Sequence, residues 1–458
     1  MTYSSSLPGL RHLWVERLLE QHPGTLTELV DGLGSPLHLL CPQVFHANVE
    51  AFQHSFTQAQ TRGSLLFAKK ANKANCFIQA CAQCAIGVDV ASVGELQKAL
   101  AGGVAGSDIG VSGPRKSDQL LGLSLSHQCL LAVDSLEELL RIQQLAQSLR
   151  QRAHLLLRYC PSNQPHSRFG LNARECDQAL MFCRQHAANL DLQGFSFHLG
   201  GYDTEQRAQV ASHLVDLCLA SELDNCRTVN LGGGFAVRYV DPAQWQAFMA
   251  EDCAERYHSD KGFAGFYPYG APRAGAEALD DILATPVSPG LSLAQKVIEY
   301  GVRLLIEPGR ALLDQAGISV FRVQGVKDRS ASDGYALVTV QGSSFNLSEQ
   351  WFNSEFLPDP LLLPATPRAR SPFVACIGGA TCLESDMLTW RKVAFDYPIQ
   401  AGDLLIYLNT AGYQMDSNES PFHEAPLPHK VVLELRNRHL RWKLDSLAWA
   451  CNPSHKNS

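Results

Sequence analysis

Two adjacent lysines close a short apolar run in Phe67-Ala68-Lys69-Lys70-Ala71-Asn72. An amine at the end of a strand, half removed from water, has a lowered pKa and condenses with an aldehyde to a Schiff base. A surface lysine would look the same in this sextet. Three glycines in Asn230-Leu231-Gly232-Gly233-Gly234-Phe235 follow another β-prone run. Bare backbone there lets N–H groups converge on a phosphate, or makes a tight turn with no ligand. The GxGxxG spacing and early βαβ placement of a dinucleotide fingerprint are missing. Ile306-Glu307-Pro308-Gly309-Arg310 brings a carboxylate and a guanidinium together. Alone they read as a structural ion pair. Beside an aldehyde-trapping lysine and a phosphate cradle they read as the partner of a pyridine nitrogen, and those three demands are the demands of pyridoxal phosphate.

These residues need elements that deliver them to one place. From Pro36 to Arg310, strand-length apolar runs alternate with segments of helical period. The expected strands begin at Pro36–Leu40 and Ser64–Ala68. They continue through Gly87–Ala91, Ile109–Val111, Cys129–Val133, His154–Arg158, Gly194–His198, Thr228–Leu231 and Arg303–Ile306. Alternation of this kind predicts parallel βα units and a (β/α)8 TIM-type barrel over residues 36–310, with its chemistry just after the strands. An insertion at about 238–295 carries the aromatic run Phe263-Ala264-Gly265-Phe266-Tyr267-Pro268-Tyr269. It is either a substrate wall or lid, or decoration. Residues 311–458 hold short β-prone runs broken by Pro, Gly and Asn, which predict a second, mostly β domain joined by the N-terminal segment 1–35.

Composition narrows the partner. The chain has 458 residues, 45% hydrophobic and 18% charged, with formal net charge −7. That size predicts two domains, and the absence of a basic block argues against nucleic acid or an anionic membrane surface. A small-molecule partner is expected. Fourteen cysteines spread through so long a chain read as reduced thiols. Cys81 and Cys84 have CxxC spacing without a second pair, and their surroundings read as helix. The sixteen histidines give no HExxH or comparable spacing, so no metal is expected. With no secretory pattern at the N-terminus and no apolar run of about 18 residues, a cytoplasmic protein is expected.

In collinear order the chain carries Phe-Ala-x-Lys-Ala-Asn, Gly87-Val88-Asp89-Val90-Ala91-Ser92-Val93-Gly94-Glu95-Leu96, Ser167-Arg168-Phe169-Gly170 and Phe197-His198-Leu199-Gly200. The triple glycine, Glu307-Pro308-Gly309-Arg310, Cys382 with Asp386, and Ala411-Gly412-Tyr413 follow. The ordered set resembles the fold-type III pyridoxal-phosphate decarboxylases, which share their barrel with the alanine racemases. The resemblance implies that Lys70 binds pyridoxal 5'-phosphate, with Lys69 its neighbour, that His198 lies against the ring, and that Asp89 sits near the Schiff base. It implies that Gly232, Gly233, Gly234, Gly309, Arg310 and Tyr413 hold the cofactor, and that Glu307 faces the pyridine nitrogen. A carboxylate there keeps the nitrogen protonated and favours decarboxylation over racemisation. The resemblance also implies a homodimer with shared active sites, in which Cys382 of one subunit reprotonates the α-carbon in the other.

The pattern departs in three places. Leu383 stands where decarboxylases of free diamino acids carry an acidic residue, and Glu384 follows one place later. Val340-Gln341-Gly342-Ser343-Ser344-Phe345-Asn346 holds no arginine for a distal carboxylate, and none comes before Arg368. Gly201 replaces a serine whose hydroxyl meets the phosphate in the family. With Leu383, Glu384, Asp386 and Tyr413 as the substrate-facing set, an unusual or conjugated amino acid is expected, as in siderophore or other secondary-metabolite assembly. The alternatives are a free diamino acid of the diaminopimelate or ornithine type, an amino-acid racemase, and an inactive regulatory homologue.

Overall fold

The computed structural model describes residues 6–347, 353–436 and 439–447; the ends of the expected β domain and N-terminal segment lie outside them. Eight parallel strands close a barrel in the order Arg303–Ile306, Gly63–Ala68, Gly87–Val90, Ile109–Val111, Leu130–Val133, Ala153–Arg158, Leu190–Ser196 and Thr228–Asn230. Each strand is short and largely buried, and most are followed by a helix with a polar cap. Ser92 caps Val93–Ala101 by accepting the N–H of Glu95, and Asn172 forms a reciprocal box with Glu175.

One expected barrel strand lies elsewhere. Leu37–Leu40 pairs antiparallel with Gly317–Arg329 and parallel with His429–Arg436, inside a separate nine-stranded sheet. The barrel strands therefore begin at Gly63, not at residue 36. A short apolar run ahead of the helix Pro42–Gln58 has the local pattern of a βα unit. Its partners lie hundreds of residues away and leave no local mark. His38 in this strand is buried against Ser319, its Nδ1 being 2.8 Å from the hydroxyl, and burial drives its pKa down to about 3.

The nine-stranded sheet forms the second domain, with the strands from Gly317 to Leu444 built around Leu37–Leu40. Met387–Phe395 belongs to it, a strand that composition conceals because Arg391 and Lys392 interrupt the apolar pattern. Arg391 is 1% exposed and is paired with Asp359. The N-terminal segment crosses to this domain, where the Leu7 N–H donates to Asp359 Oδ2 at 2.7 Å.

The stretch after Thr228–Asn230 divides in two. Helices Ala276–Ala284 and Leu293–Glu299 pack on Thr204–Ala220 and complete the outer layer of the barrel. The inserted part therefore ends near residue 275. Its aromatic run packs on itself, with Tyr257, Phe263 and Phe266 in ring contact.

Candidate active site

The strand Gly63–Ala68 ends in a 3-10 turn, Lys69–Ala71. Successive side chains of such a turn diverge by about 120°, so the two lysines part. Lys70 lines a cavity of about 850 Å³ at the C-terminal ends of the barrel strands. Lys69 is 1% exposed, and its Nζ donates to the Lys73 carbonyl at 3.4 Å. The lowered pKa expected at this rim belongs to Lys69, which burial takes to about 8. For Lys70, burial acts downward, but Tyr413, Asp89 and Glu307 outweigh it and the net shift is upward.

Carboxylates flank that amine. Asp89 is 5% exposed; its Oδ2 accepts the Ser112 hydroxyl at 3.0 Å, while Oδ1 has no hydrogen-bond partner among the described residues. Burial and then Glu307 push its pKa well up. Glu307 leaves the last barrel strand, and its Oε1 accepts from the Asn230 side chain at 2.6 Å. The other end of that amide accepts the Gly232 N–H at 2.9 Å.

Opposite Lys70, His198 follows the strand Leu190–Ser196 and faces the cavity. Burial first, then Lys70, Arg207 and Arg158, lower its pKa to about 4, so the ring is neutral at pH 7. The glycine loop passes beside it. Gly232 has φ +66°, and a Cβ there would sit 2.6 Å from the Phe197 carbonyl and 2.9 Å from His198 Nδ1, so only glycine fits. Gly200, Gly201, Gly233 and Gly234 also line the cavity.

The far wall comes from the second domain. Tyr413 N–H donates to the Ala71 carbonyl at 2.8 Å, and Asn72 Nδ2 donates to the Ala411 carbonyl at 2.8 Å, stitching that loop to the Lys70 turn. Tyr413 adopts φ +95°, an uncommon conformation for a large side chain. A Cβ on Gly309 would come 2.9 Å from its hydroxyl. The Arg310 guanidinium lies 4.1 Å from the ring centre of Tyr267 and 4.9 Å from that of Tyr413. Its Nη1 donates to the Gly412 carbonyl and to Gln414, each at 3.1 Å. Ala264 to Pro268 line the same cavity, so the aromatic insertion is a wall of it.

The segment 45–259 matches the family model described as pyridoxal-dependent decarboxylase, pyridoxal binding domain. Over 434 residues, 93% of this chain and 94% of the relative, the sequence is 34% identical to the uncharacterized protein y4yA of Sinorhizobium fredii. The chain belongs to the pyridoxal-dependent decarboxylases. A diaminopimelate decarboxylase of Bacillus methanolicus is 24% identical, with 90% of this chain and 93% of that protein covered. The diaminopimelate decarboxylase of M. jannaschii in co-complex with L-lysine superposes with a TM-score of 0.70 at 20% identity, covering 91% of each chain. The lysine/ornithine decarboxylase of Vibrio vulnificus complexed with putrescine gives 0.66 at 19%, covering 94% of this chain and all of that one.

As a carboxy-lyase of the diaminopimelate and ornithine decarboxylase type, the chain uses pyridoxal 5'-phosphate. The cavity fits that group. It offers one amine, a carboxylate fixed by Asn230, and two loops that present the bare backbone of Gly200, Gly201, Gly233 and Gly234, with Asp89 acting on the amine from beside it.

The remaining expected residues lie apart. Cys382, Leu383 and Glu384 are exposed and do not line the cavity of their own chain. Cys382 Sγ is 3.3 Å from His423 Nε2. Asp386, expected among the substrate-facing residues, braces loops of its own chain. It is 5% exposed and accepts from Ser344 N at 2.7 Å and from the Thr381 N–H and hydroxyl at 3.0 and 2.7 Å. Among the described residues, no group of three or more His, Cys, Asp and Glu side chains is placed to hold a metal ion, and no helix is long and apolar enough to cross a membrane.

The motifs left two residues unassigned. Asn230 stood inside the glycine motif without a role. Arg207 carries a legible signal, since it shares the buried stripe of Thr204–Ala220 with Ala211, Leu214 and Cys218, an unusual place for a cation.

Proposed function

We propose that this decarboxylase acts on an unusual or conjugated amino acid whose distal end carries no free ammonium, of the kind handled in siderophore or other secondary-metabolite assembly. The observation that carries this is Leu383, 41% exposed, in the place where decarboxylases of free diamino acids have an acid. A free ammonium facing it would lose its charge partner, at a cost of several kcal/mol in a desolvated site. Of the other acids in this loop, Asp386 is engaged by Ser344 and Thr381, and Glu384 stands one place beyond the position the family uses. A distal carboxylate is equally unprovided for, since Arg368, the first arginine after the strand Tyr335–Val340, is paired with Asp403. The aromatic wall at Phe266 and Tyr267 suits an extended or apolar distal group.

Bound pyridoxal 5'-phosphate supplies an electron sink for the pair left on the α-carbon when carbon dioxide departs. The Lys70 amine would hold the cofactor through its aldehyde carbon. Glu307, oriented by Asn230, would keep a proton on the ring nitrogen, and neutral His198 would add no charge beside the ring. The glycine loops, Gly309, Arg310 and Tyr413 would hold the phosphate. In a homodimer with shared sites, the partner's Cys382 would be the acid that returns a proton to the α-carbon.

The test is a panel of amino acids and carboxylated pathway intermediates read by carbon dioxide release. High turnover of a conjugated or apolar-tailed amino acid, with little of free lysine, ornithine or diaminopimelate, supports the proposal. Fast turnover of a free diamino acid would overturn it in favour of the activity that the named relatives carry.

A further inference from the structure

Arg207 is 1% exposed, and its hydrogen bonds among the described residues are to backbone carbonyls and not to a carboxylate. Its Nη1 donates to the Leu231 carbonyl at 3.1 Å and its Nη2 to the Gly201 carbonyl at 3.2 Å. One guanidinium thus ties together the loop after Leu190–Ser196 and the loop after Thr228–Asn230. Both loops turn their glycines to the cavity. A Cβ on Gly234 would collide with Nη2, so glycine at that position lets the cation sit directly behind the loop. Asp203, which with Tyr202 acts electrostatically to raise the Arg207 pKa, is engaged in capping Thr204–Ala220 by accepting from Gln206 N–H. Burial lowers the pKa of Arg207 to about 10, which leaves it a cation at neutral pH.

A buried cation satisfied only by carbonyl oxygens is costly unless an anion completes it. Both of its donating nitrogens are hydrogen-bonded to the glycine loops, at the Leu231 and Gly201 carbonyls, so those loops are where an anion would meet its charge. Gly201 has φ +80°, a conformation strained for serine, and at this place the chain has no hydroxyl to offer a phosphate. We propose that Arg207 is the positioning residue of the phosphate end, holding the two glycine loops at their separation and supplying from behind them the positive charge that pairs with the cofactor's phosphate dianion.

This rests on the glycine loops being the phosphate cradle, and the test separates the two ideas. Apoprotein is titrated with pyridoxal 5'-phosphate and, in parallel, with pyridoxal, which lacks the phosphate, and both are followed by visible absorbance. Wild-type protein is expected to prefer pyridoxal 5'-phosphate strongly. Arg207→Gln is expected to lose on the order of tenfold or more of that preference, with pyridoxal affinity changed little. Arg207→Lys, which keeps the cation, is expected to retain most of it. A wild-type protein with no preference would refute the cradle itself. A normal preference in Arg207→Gln, or equal loss of both ligands, would refute the role of Arg207 alone. Circular dichroism of the apoproteins checks folding. Should Arg207→Gln not fold, Arg207→Lys decides, because loss of the preference in that variant overturns the role of the charge.

Discussion

The side-chain amide of Asn230 joins Glu307 to the glycine loop, donating to Oε1 across 2.6 Å while accepting the Gly232 N–H at 2.9 Å. One planar group therefore fixes both the carboxylate and the neighbouring start of the glycine loop, whose Gly232 carbonyl also accepts the Glu307 N–H at 2.8 Å. Glu307→Gln keeps the shape and removes the charge. Its turnover is expected to fall roughly 100-fold or more, equivalent to about 2.7 kcal/mol of barrier, with the visible band of the bound cofactor retained. Asn230→Ala is expected to lose on the order of tenfold. Carbon dioxide release measures both, and an unchanged rate in Glu307→Gln would remove that carboxylate from the chemistry.

The divergence of Lys69 and Lys70 gives a second prediction. Lys70→Ala is expected to abolish both the visible absorbance band and activity. Lys69→Met, in a side chain buried away from the cavity, is expected to keep the band and alter stability instead. A band that persists in Lys70→Ala and vanishes in Lys69→Met would exchange the two assignments.

Cys382 does not line the cavity of its own chain, so the shared-site dimer can be tested by complementation. Lys70→Ala and Cys382→Ala are each expected to be nearly inactive. Unfolded, mixed and refolded together, they are expected to recover about a quarter of wild-type activity, since mixed dimers restore one intact site. No recovery would place each complete site within a single chain.

The contact between the Lys70 rim and the second domain depends on Asp416. Its carboxylate accepts the Lys73 N–H at 2.6 Å and pairs with Lys430. Burial acts to raise its pKa, but Lys430 and Lys73 hold it below the ordinary carboxylate value. With the folded pKa below the unfolded value of about 3.9, its contribution is complete above that pH and is lost as pH falls through the folded pKa. Asp416→Asn leaves Lys430 without its charge partner and is expected to cost about 3 kcal/mol at pH 7. Urea melts are expected to show the gap to wild type narrowing below about pH 4; a gap constant with pH would refute the linkage.

Much of the barrel was legible. The runs Ile109–Val111 and Arg303–Ile306 coincide with strands, because a strand buried on both faces writes itself as a short continuous apolar run. The motif residues Lys70, His198, Gly233, Gly234, Glu307, Gly309, Arg310 and Tyr413 meet at one cavity. Leu37–Leu40 was misplaced because a run of four residues names no partner. The bracing of Asp386 by a neighbouring loop and by its own left no mark in the sequence, because Ser344 lies far from it along the chain.

By itself, the sequence determined the barrel, since strand alternation is a local property written in consecutive residues, and the order of its motifs resembled one family and through that resemblance implied the cofactor. Which of two adjacent lysines faces the cavity follows from the turn they occupy. That Arg207 stands behind the glycines, that Tyr413 reaches the Lys70 rim, and that the Lys70 pKa moves up were decided only by the tertiary structure. Burial, charge pairing and close approach depend on distances between residues that the chain keeps far apart until it folds.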